Sequence, residues 1–278
     1  MKNTLLSLYN IAKKFVKNKY EIIYIFEDLF NISYSYLIAN KNEILPKEKA
    51  KEFLKYVKKR SENFPLQYIL KNWEFMGNKL KIGKGVLIPR DDTELLVRKS
   101  AHYISKSKCP KILDLCSGSG NISIALSKIL NNGPEITSIE KSIRAFKYLK
   151  INTENIKNIK IFNSDILKCH ENFENSYFDL IISNPPYIPS KDIDNLQKEV
   201  KFEPKMALDG GKHGLKFYKC ICSKWIKKLK KNGFLSVEVG TNQSLYIRIL
   251  FENYGLENIE TFRDIQDIDR VILAKNTT

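Results

Sequence analysis

A chain of 278 residues, 43% hydrophobic and 28% charged, has the make-up of a soluble globular protein with one large domain, or one domain and a smaller companion. No apolar run approaches the roughly 20 residues of a membrane span, because Glu27 and Asp28 break "EIIYIFEDLF"; five cysteines (109, 116, 169, 220, 222) without a C-x-x-C pair, and three His, point away from zinc and toward a reducing cytoplasm. The net charge of +16 is almost all Lys, which AT-rich codon usage produces without selection for binding and which also suits a weak contact with the ribosome or RNA.

The opening "MKNTLLSLYNIAKKFV" reads as an amphipathic helix, not a signal peptide: Ser7 and Asn10 interrupt its apolar run and Lys13 and Lys14 end it. In "PKEKAKEFLKYVKKR", Pro46 suits a first helical turn, and Ala50, Phe53, Leu54 and Val57 recur at helical spacing. Residues 1–72 are expected to form a small helical domain. "WEFMGNKLKIGKGVLIPR" alternates around two Gly-containing turns, which predicts a β-hairpin linker over 73–92.

From residue 93 to 278 helix and strand alternate. "KILDL" (111–115) is a buried strand, and "NISIALSKIL" a helix with Ile122, Ala125, Leu126 and Ile129 on one face. "EITSIE", "IKIFNSD", "FDLIIS", "GFLSVEV" and "RVILA" are further strands. The alternation predicts an α/β domain with a doubly wound, Rossmann-like sheet. In "KWIKKLKKNG" the stop at Gly233 and the apolar Trp225, Ile226 and Leu229 predict a helix with a solvated basic face.

Two motifs carry chemistry. "DLCSGSGN" (114–121) joins the first of these strands to its helix, with Gly118 and Gly120 permitting a tight turn and close approach of a ligand. Glu140 ends the next strand, 20 residues after Gly120, where a carboxylate commonly accepts hydrogen bonds from ribose hydroxyls; the strand after that ends in Asp165, placed for adenine. This form departs from G-x-G-x-x-G and resembles the motif of S-adenosylmethionine-dependent methyltransferases of the Rossmann-like class, with Cys116 standing where Gly is usual.

The second motif is "SNPPYIPS" (183–190), which stops the strand "FDLIIS" because neither Pro can donate to a sheet ladder. In a doubly wound sheet this strand neighbours "KILDL", so both motifs face one crevice beyond the carboxyl ends of the strands. An amide or exocyclic amine is a poor nucleophile, since its lone pair is delocalised. The Asn184 side-chain oxygen and the Pro185 carbonyl are placed to accept its two hydrogens, Pro185 and Pro186 to stiffen the loop, and Tyr187 to offer a flat wall. The motif names methyl transfer to a planar nitrogen and leaves open whose nitrogen it is.

The run "RSENFPLQYILKNWEFMGNKLKIGKGVLIPRDDTELLV" resembles the interdomain signature of the HemK/PrmC family of release-factor glutamine methyltransferases. Arg60, Pro65, Gln67, Tyr68, Glu74, Phe75, Leu87, Ile88, Pro89, Arg90, Thr93 and Glu94 fit its pattern, and Asp91 replaces a usual Pro. "NPPYIPS", "VKFEPKMALDGGKHGL" and "RDIQDIDRVILA" also resemble that family, so the likeness covers 60–278, while residues 1–45 match only in helical character. The resemblance implies a helical bundle, a hairpin linker and a Rossmann-like catalytic domain. It implies methylation of the Gln side-chain nitrogen in the Gly-Gly-Gln loop of class 1 peptide chain release factors, with S-adenosyl-L-methionine as cofactor, S-adenosyl-L-homocysteine as product and no metal.

Carried over by position, Cys116, Ser117, Gly118, Ser119, Gly120, Glu140, Asp165, Ile166 and Asn184 contact cofactor, and Asn184, Pro185, Pro186 and Tyr187 hold the Gln amide, with Asn184, Pro185 and Tyr187 catalytic. Arg90 and Glu94 are expected in a structural ion pair at the linker. Two other readings stand beside this one. An N6-adenine methyltransferase acting on DNA or RNA needs the same acceptors, but also base flipping and a recognition element for which the chain after Tyr187 leaves little room. A non-catalytic basic module binding ribosomal RNA needs neither motif.

Overall fold

Polar caps and left-handed stops set the helices of the N-terminal region in the computed structural model, which describes residues 3–277. Helix α1 (Leu5–Lys13) starts at Thr4, whose Oγ1 accepts from Ser7 N at 3.2 Å; α2 (Lys19–Phe30) starts at Asn18 and stops at Asn31, φ 56°. Helix α3 (Tyr34–Ala39) follows Ser33, α4 (Lys47–Ser61) follows Pro46, and α5 (Leu66–Leu70) lies between Pro65 and a left-handed Lys71. Their shared core contains Leu5, Leu8, Ile22, Phe26, Phe53 and Val57, with the Phe26 and Phe53 rings 4.3 Å apart. Leu54, expected on the buried face of α4, is instead 36% exposed; Ala50, Phe53 and Val57 alone fill the stripe.

The segment Gln197–Phe202 belongs to this first compact unit, which otherwise runs through Asn72. Arg60 donates to both oxygens of Glu21 at 2.7 and 2.8 Å and to Glu199 at 3.0 Å, and the Phe64 and Phe202 rings meet at 5.2 Å.

The second unit holds Trp73–Leu196 and the chain from Glu203 onward. Its hairpin pairs β1 (Asn72–Phe75) with β2 (Asn78–Lys81) around Met76 and Gly77, both at positive φ (48° and 72°), the geometry of a two-residue turn matched to strand twist. The strands end there; the second glycine turn, at Gly83 and Gly85, lies in irregular chain. Helix α6 (Asp92–Ile104) leads into β3 (Lys111–Leu115), α7 (Asn121–Ile129), β4 (Glu135–Glu140), α8 (Ile143–Thr153), β5 (Ile159–Asn163) and β6 (Phe178–Ser183). After the turns over 190–207 come α9 (Lys216–Cys220), β7 (Leu229–Glu238), α10 (Ser244–Asn253), β8 (Leu256–Arg263) and β9 (Asp269–Asn276).

The seven strands β3 to β9 form one sheet in the order β5-β4-β3-β6-β7-β9-β8. Strands β5 through β7 are parallel, whereas β9 runs antiparallel to β7 and β8 antiparallel to β9. This is the doubly wound α/β sheet expected, with β3 and β6 adjacent at its switch point. Ile112, Leu113, Leu115, Leu180, Ile181 and Ile182 are all 0% exposed, because helices cover both faces of parallel strands.

Three readings of the sequence need correction. Strand β8 has no counterpart among the expected strands: it is an edge strand, buried at Leu256 but not over most of its length. Ile129, placed on the buried face of α7, is 41% exposed at the helix end. "KWIKKLKKNG" is not a helix to Gly233. The helical turns end at Lys228, and Leu229–Glu238 is strand, irregular near a left-handed Asn232 (φ 65°). Buried anchors decide that boundary: Trp225 Nε1 donates to the Ile166 carbonyl at 3.0 Å and Lys228 Nζ to that of Phe173.

Candidate active site

The loop after β3 turns on three successive left-handed positions, Cys116 (φ 64°), Gly118 (φ 55°) and Gly120 (φ 85°). A Cβ on Gly118 would meet nothing within 4 Å, so its outer face is open; one on Gly120 would come within 2.7 Å of Leu149 Cδ1. The loop is tied down by Ser117, whose N donates to Ile139 O (3.0 Å) and whose Oγ donates to Asp114 O (2.9 Å). Cys116 takes the left-handed conformation despite its side chain, which accounts for Gly being usual there. Burial, with the Glu140 and Asp114 carboxylates nearby, pushes its thiol well above the ordinary range, so it stays protonated at neutral pH.

Glu140 ends β4 with both oxygens engaged: Oε2 accepts from Gly118 N at 2.9 Å and Oε1 from Ser142 N at 2.6 Å. It is 9% exposed, and burial raises its pKa in spite of those donors. Asp165 lies two residues beyond the end of β5, at Asn163, not on the strand. Burial acts to raise its pKa, but Lys141 Nζ (2.9 Å) and Leu167 N (3.0 Å) prevail and hold the carboxyl below its usual range.

These groups share one cleft. Cys116, Ser117, Gly118, Ser119, Glu140, Asp165, Ile166, Asn184 and Pro186 all line it. Gly120 shapes the turn without lining the cleft, Pro185 is buried, and Tyr187 lines a second, more open hollow with Gln243 and Arg270. The opposite wall includes Ile88, Met206 and Phe217.

The loop after β6 is anchored from behind. Ser183 Oγ donates to Leu115 O at 2.7 Å, joining the ends of β6 and β3, and Gln243 Nε2 donates to Tyr187 O at 2.9 Å. Asn184 Nδ2 donates to Thr93 Oγ1 at 3.1 Å, Thr93 Oγ1 donates to Glu238 Oε2 at 2.6 Å, and Tyr187 OH donates to Glu238 Oε1 at 3.3 Å. Thr93 and Glu238 were not singled out in the sequence for this chemistry. The available signals were the place of Thr93 in the interdomain signature and that of Glu238, like Glu140, as an acid closing a parallel strand. Arg90 and Glu94 do form ion pairs, though not with each other. Arg90 binds Glu203, which also accepts from Ile88 N at 2.9 Å, and Glu94 binds Arg98 at 3.2 Å.

Two family descriptions match the chain: "PrmC N-terminal domain" over residues 13–70 and "Methyltransferase small domain" over residues 91–210. The release factor glutamine methyltransferase of Clostridium acetobutylicum is 37% identical over 244 residues, 86% of this chain and 85% of that protein. The chain belongs to the release factor glutamine methyltransferase family. A second member of that family, from Clostridium botulinum, is 33% identical over 99% of both chains. Among solved structures, that of the release-factor-specific protein-(glutamine-N5) methyltransferase from Alicyclobacillus acidocaldarius is 23% identical, with a TM-score of 0.45 over 71% of this chain and 99% of that one. The resemblance to the family reaches further toward the N-terminus than the motifs alone indicated, since the match begins at residue 13 and not at Arg60.

The cleft fits the cofactor expected in a release factor glutamine methyltransferase. An open glycine, a strand-end carboxylate fixed by backbone N–H groups and a second carboxylate beyond β5 are the donor and acceptor set for a nucleoside with an amino-acid tail.

Proposed function

We propose that this chain transfers a methyl group from S-adenosylmethionine to the side-chain amide nitrogen of the Gln in the Gly-Gly-Gln loop of class 1 peptide chain release factors, and so modulates translation termination. Membership of the family supports the substrate. The observation that carries the chemistry is the convergence of the glycine loop of β3 and the Asn-Pro-Pro-Tyr loop of β6 on one cleft at a switch point. The bound cofactor supplies an activated methyl on sulfonium; the chain's task is to hold a weak nucleophile in line with it.

Glu140 accepts from the ribose hydroxyls, Asp165 and Ile166 border the adenine, and Cys116 to Gly120 leave backbone open to the amino-acid tail. Asn184 Oδ1 accepts one hydrogen of the Gln amide, the Pro185 carbonyl the other, and Pro186 and Tyr187 keep the loop stiff. Fixed acceptors lower the barrier because positive charge develops on the nitrogen as it takes the methyl and its N–H groups become more acidic; the surplus N–H proton then leaves to solvent, and the acceptors need no reorganisation. Residues 1–72 are the recognition domain for the factor, 73–92 a linker and 93–278 the catalytic domain.

Labelled methyl transfer from S-adenosylmethionine to a purified class 1 release factor, its Gln-to-Ala loop variant, DNA and RNA tests this directly. Label is expected on the factor alone and lost in the variant; label on nucleic acid would overturn the substrate. With the same factor, Asn184→Ala is expected to abolish turnover while cofactor affinity stays within about tenfold, and retained turnover would remove Asn184 from the mechanism.

A further inference from the structure

A carboxamide is nearly symmetrical in shape and opposite in chemistry at its two ends. Turned over, Asn184 would point two N–H donors at the substrate's NH2 group, where an acceptor is required. What fixes its orientation lies behind the cleft. Thr93 Oγ1 sits 2.6 Å from Glu238 Oε2 and 3.1 Å from the Asn184 carboxamide nitrogen. A hydroxyl has one proton. When Glu238 is a carboxylate that proton goes to Glu238, Thr93 Oγ1 has only lone pairs left for Asn184, and the carboxamide must present Nδ2 to Thr93 and Oδ1 to the cleft.

We infer that Thr93 and Glu238 are positioning residues, a two-member relay in which the Glu238 carboxylate sets the polarity of the Asn184 carboxamide and so makes it an acceptor for the substrate nitrogen. The substrate in this inference is that of the glutamine methyl transfer proposed above; the relay itself stands on geometry. Protonation of Glu238 reverses the relay: Glu238 O–H donates to Thr93 Oγ1, Thr93 O–H donates to Asn184 Oδ1, and Nδ2 faces the cleft.

The surroundings leave the relay little freedom. Thr93 and Glu238 are each 1% exposed, so water does not compete for the hydroxyl proton. The other partners of Glu238 are also donors: Tyr187 OH to Oε1 at 3.3 Å and Tyr218 OH to the main-chain carbonyl at 2.7 Å. The charged groups around it are Asp92, beside Thr93 on α6, and Arg270 on β9. Arg270 is itself held by Asp264 at 2.8 Å and Asp92 at 3.3 Å. Burial dominates and raises the Glu238 pKa to about 7, with Asp92 adding to the rise and Thr93, Tyr187 and Arg270 opposing it. The relay therefore changes sense near neutral pH.

The test combines kinetics with a spectroscopic readout. In release-factor methylation under saturating cofactor, kcat of the wild type is expected to fall as pH drops through about 7. Glu238→Gln, whose carboxamide oxygen still accepts from Thr93 but does not titrate, is expected to remove that acid limb and to leave cofactor affinity within about threefold. Asp114, beneath the glycine loop and also pushed up to about 7 by burial, would titrate in cofactor affinity instead. Thr93→Val, which removes the hydroxyl that orients the Asn184 carboxamide, is expected to lower kcat about a hundredfold at every pH, and Thr93→Ser should restore turnover to within about threefold of wild type. In protein labelled with 15N-asparagine, the Asn184 carboxamide signal, assigned by its loss in Asn184→Ala, should shift with an inflection near pH 7 that Glu238→Gln abolishes. A wild-type pH profile in Glu238→Gln, wild-type kcat in Thr93→Val, or a carboxamide signal indifferent to Glu238 would overturn the relay. The spectrum needs no substrate, so a release factor left unmethylated would sink the proposed function while the relay was still decided.

Discussion

Glu140 does two jobs with one carboxylate. Its oxygens accept from Gly118 N and Ser142 N, fixing the glycine loop and the start of α8, and the remaining lone pairs are the acceptors proposed for the ribose. Charged hydrogen bonds contribute roughly 1.5–3 kcal/mol each, so Glu140→Ala is expected to weaken cofactor binding by more than about tenfold in calorimetry. Unchanged affinity would remove Glu140 from that role. At this scale the sequence was informative where the signal is local: a glycine loop, an acid at a strand end, two prolines after an apolar run. It placed Thr93 only as one residue of the interdomain signature, with no role, and was silent on Glu238; the two stand 145 residues apart and meet because α6 lies against β7. A threonine two residues into a helix and an acid at the end of a strand look ordinary until the fold puts one hydroxyl between an amide and a carboxylate.

Among the elements, the turn between β3 and α7 is the most constrained. Gly120 sits at φ 85° and packs its α-carbon against Leu149, which is fully buried. Gly120→Ala combines left-handed strain with a clash and is expected to cost at least about 1–2 kcal/mol, read as a lower denaturant midpoint at constant m. An unshifted midpoint would show that the loop relaxes freely. The same turn was legible beforehand because glycine spacing reports backbone conformation directly. Helix and strand boundaries were less so. "KWIKKLKKNG" carries apolar residues at helical spacing, but the decision to stop at Lys228 belongs to Trp225 and Lys228, whose polar atoms find carbonyls at Ile166 and Phe173. Strand β8 escaped because an edge strand needs only one buried position to hold its place.

Among the described residues of the molecule, burial raises the pKa of three acids: Asp114 and Glu238, each to about 7, and Glu140. A carboxyl with a raised folded-state pKa contributes stability that is present below its unfolded value and lost as pH rises through its folded value. Melting temperature is therefore expected to rise as pH falls from 8 to about 5, with Asp114 and Glu238 contributing on the order of a few kcal/mol and Glu140 acting in the same direction. Below about pH 4 the trend should reverse, since Asp165, Asp209, Asp264 and Asp269 are held below the usual range and lose their partners on protonation. A melting temperature that falls steadily from pH 8 to 5 would contradict this. Turnover and stability then move in opposite directions across neutrality, because the relay needs the ionised form that burial disfavours.

The visit of Gln197–Phe202 to the helical unit has a consequence for inheritance. Neither unit is a single stretch of chain: Glu199 answers to Arg60, and Phe202 to Phe64, from a segment that follows the Asn-Pro-Pro-Tyr loop. A cut between codons 72 and 73 would separate those two side chains from their partners, so the helical unit is not a transferable module on its own: its last contacts are encoded more than a hundred codons downstream.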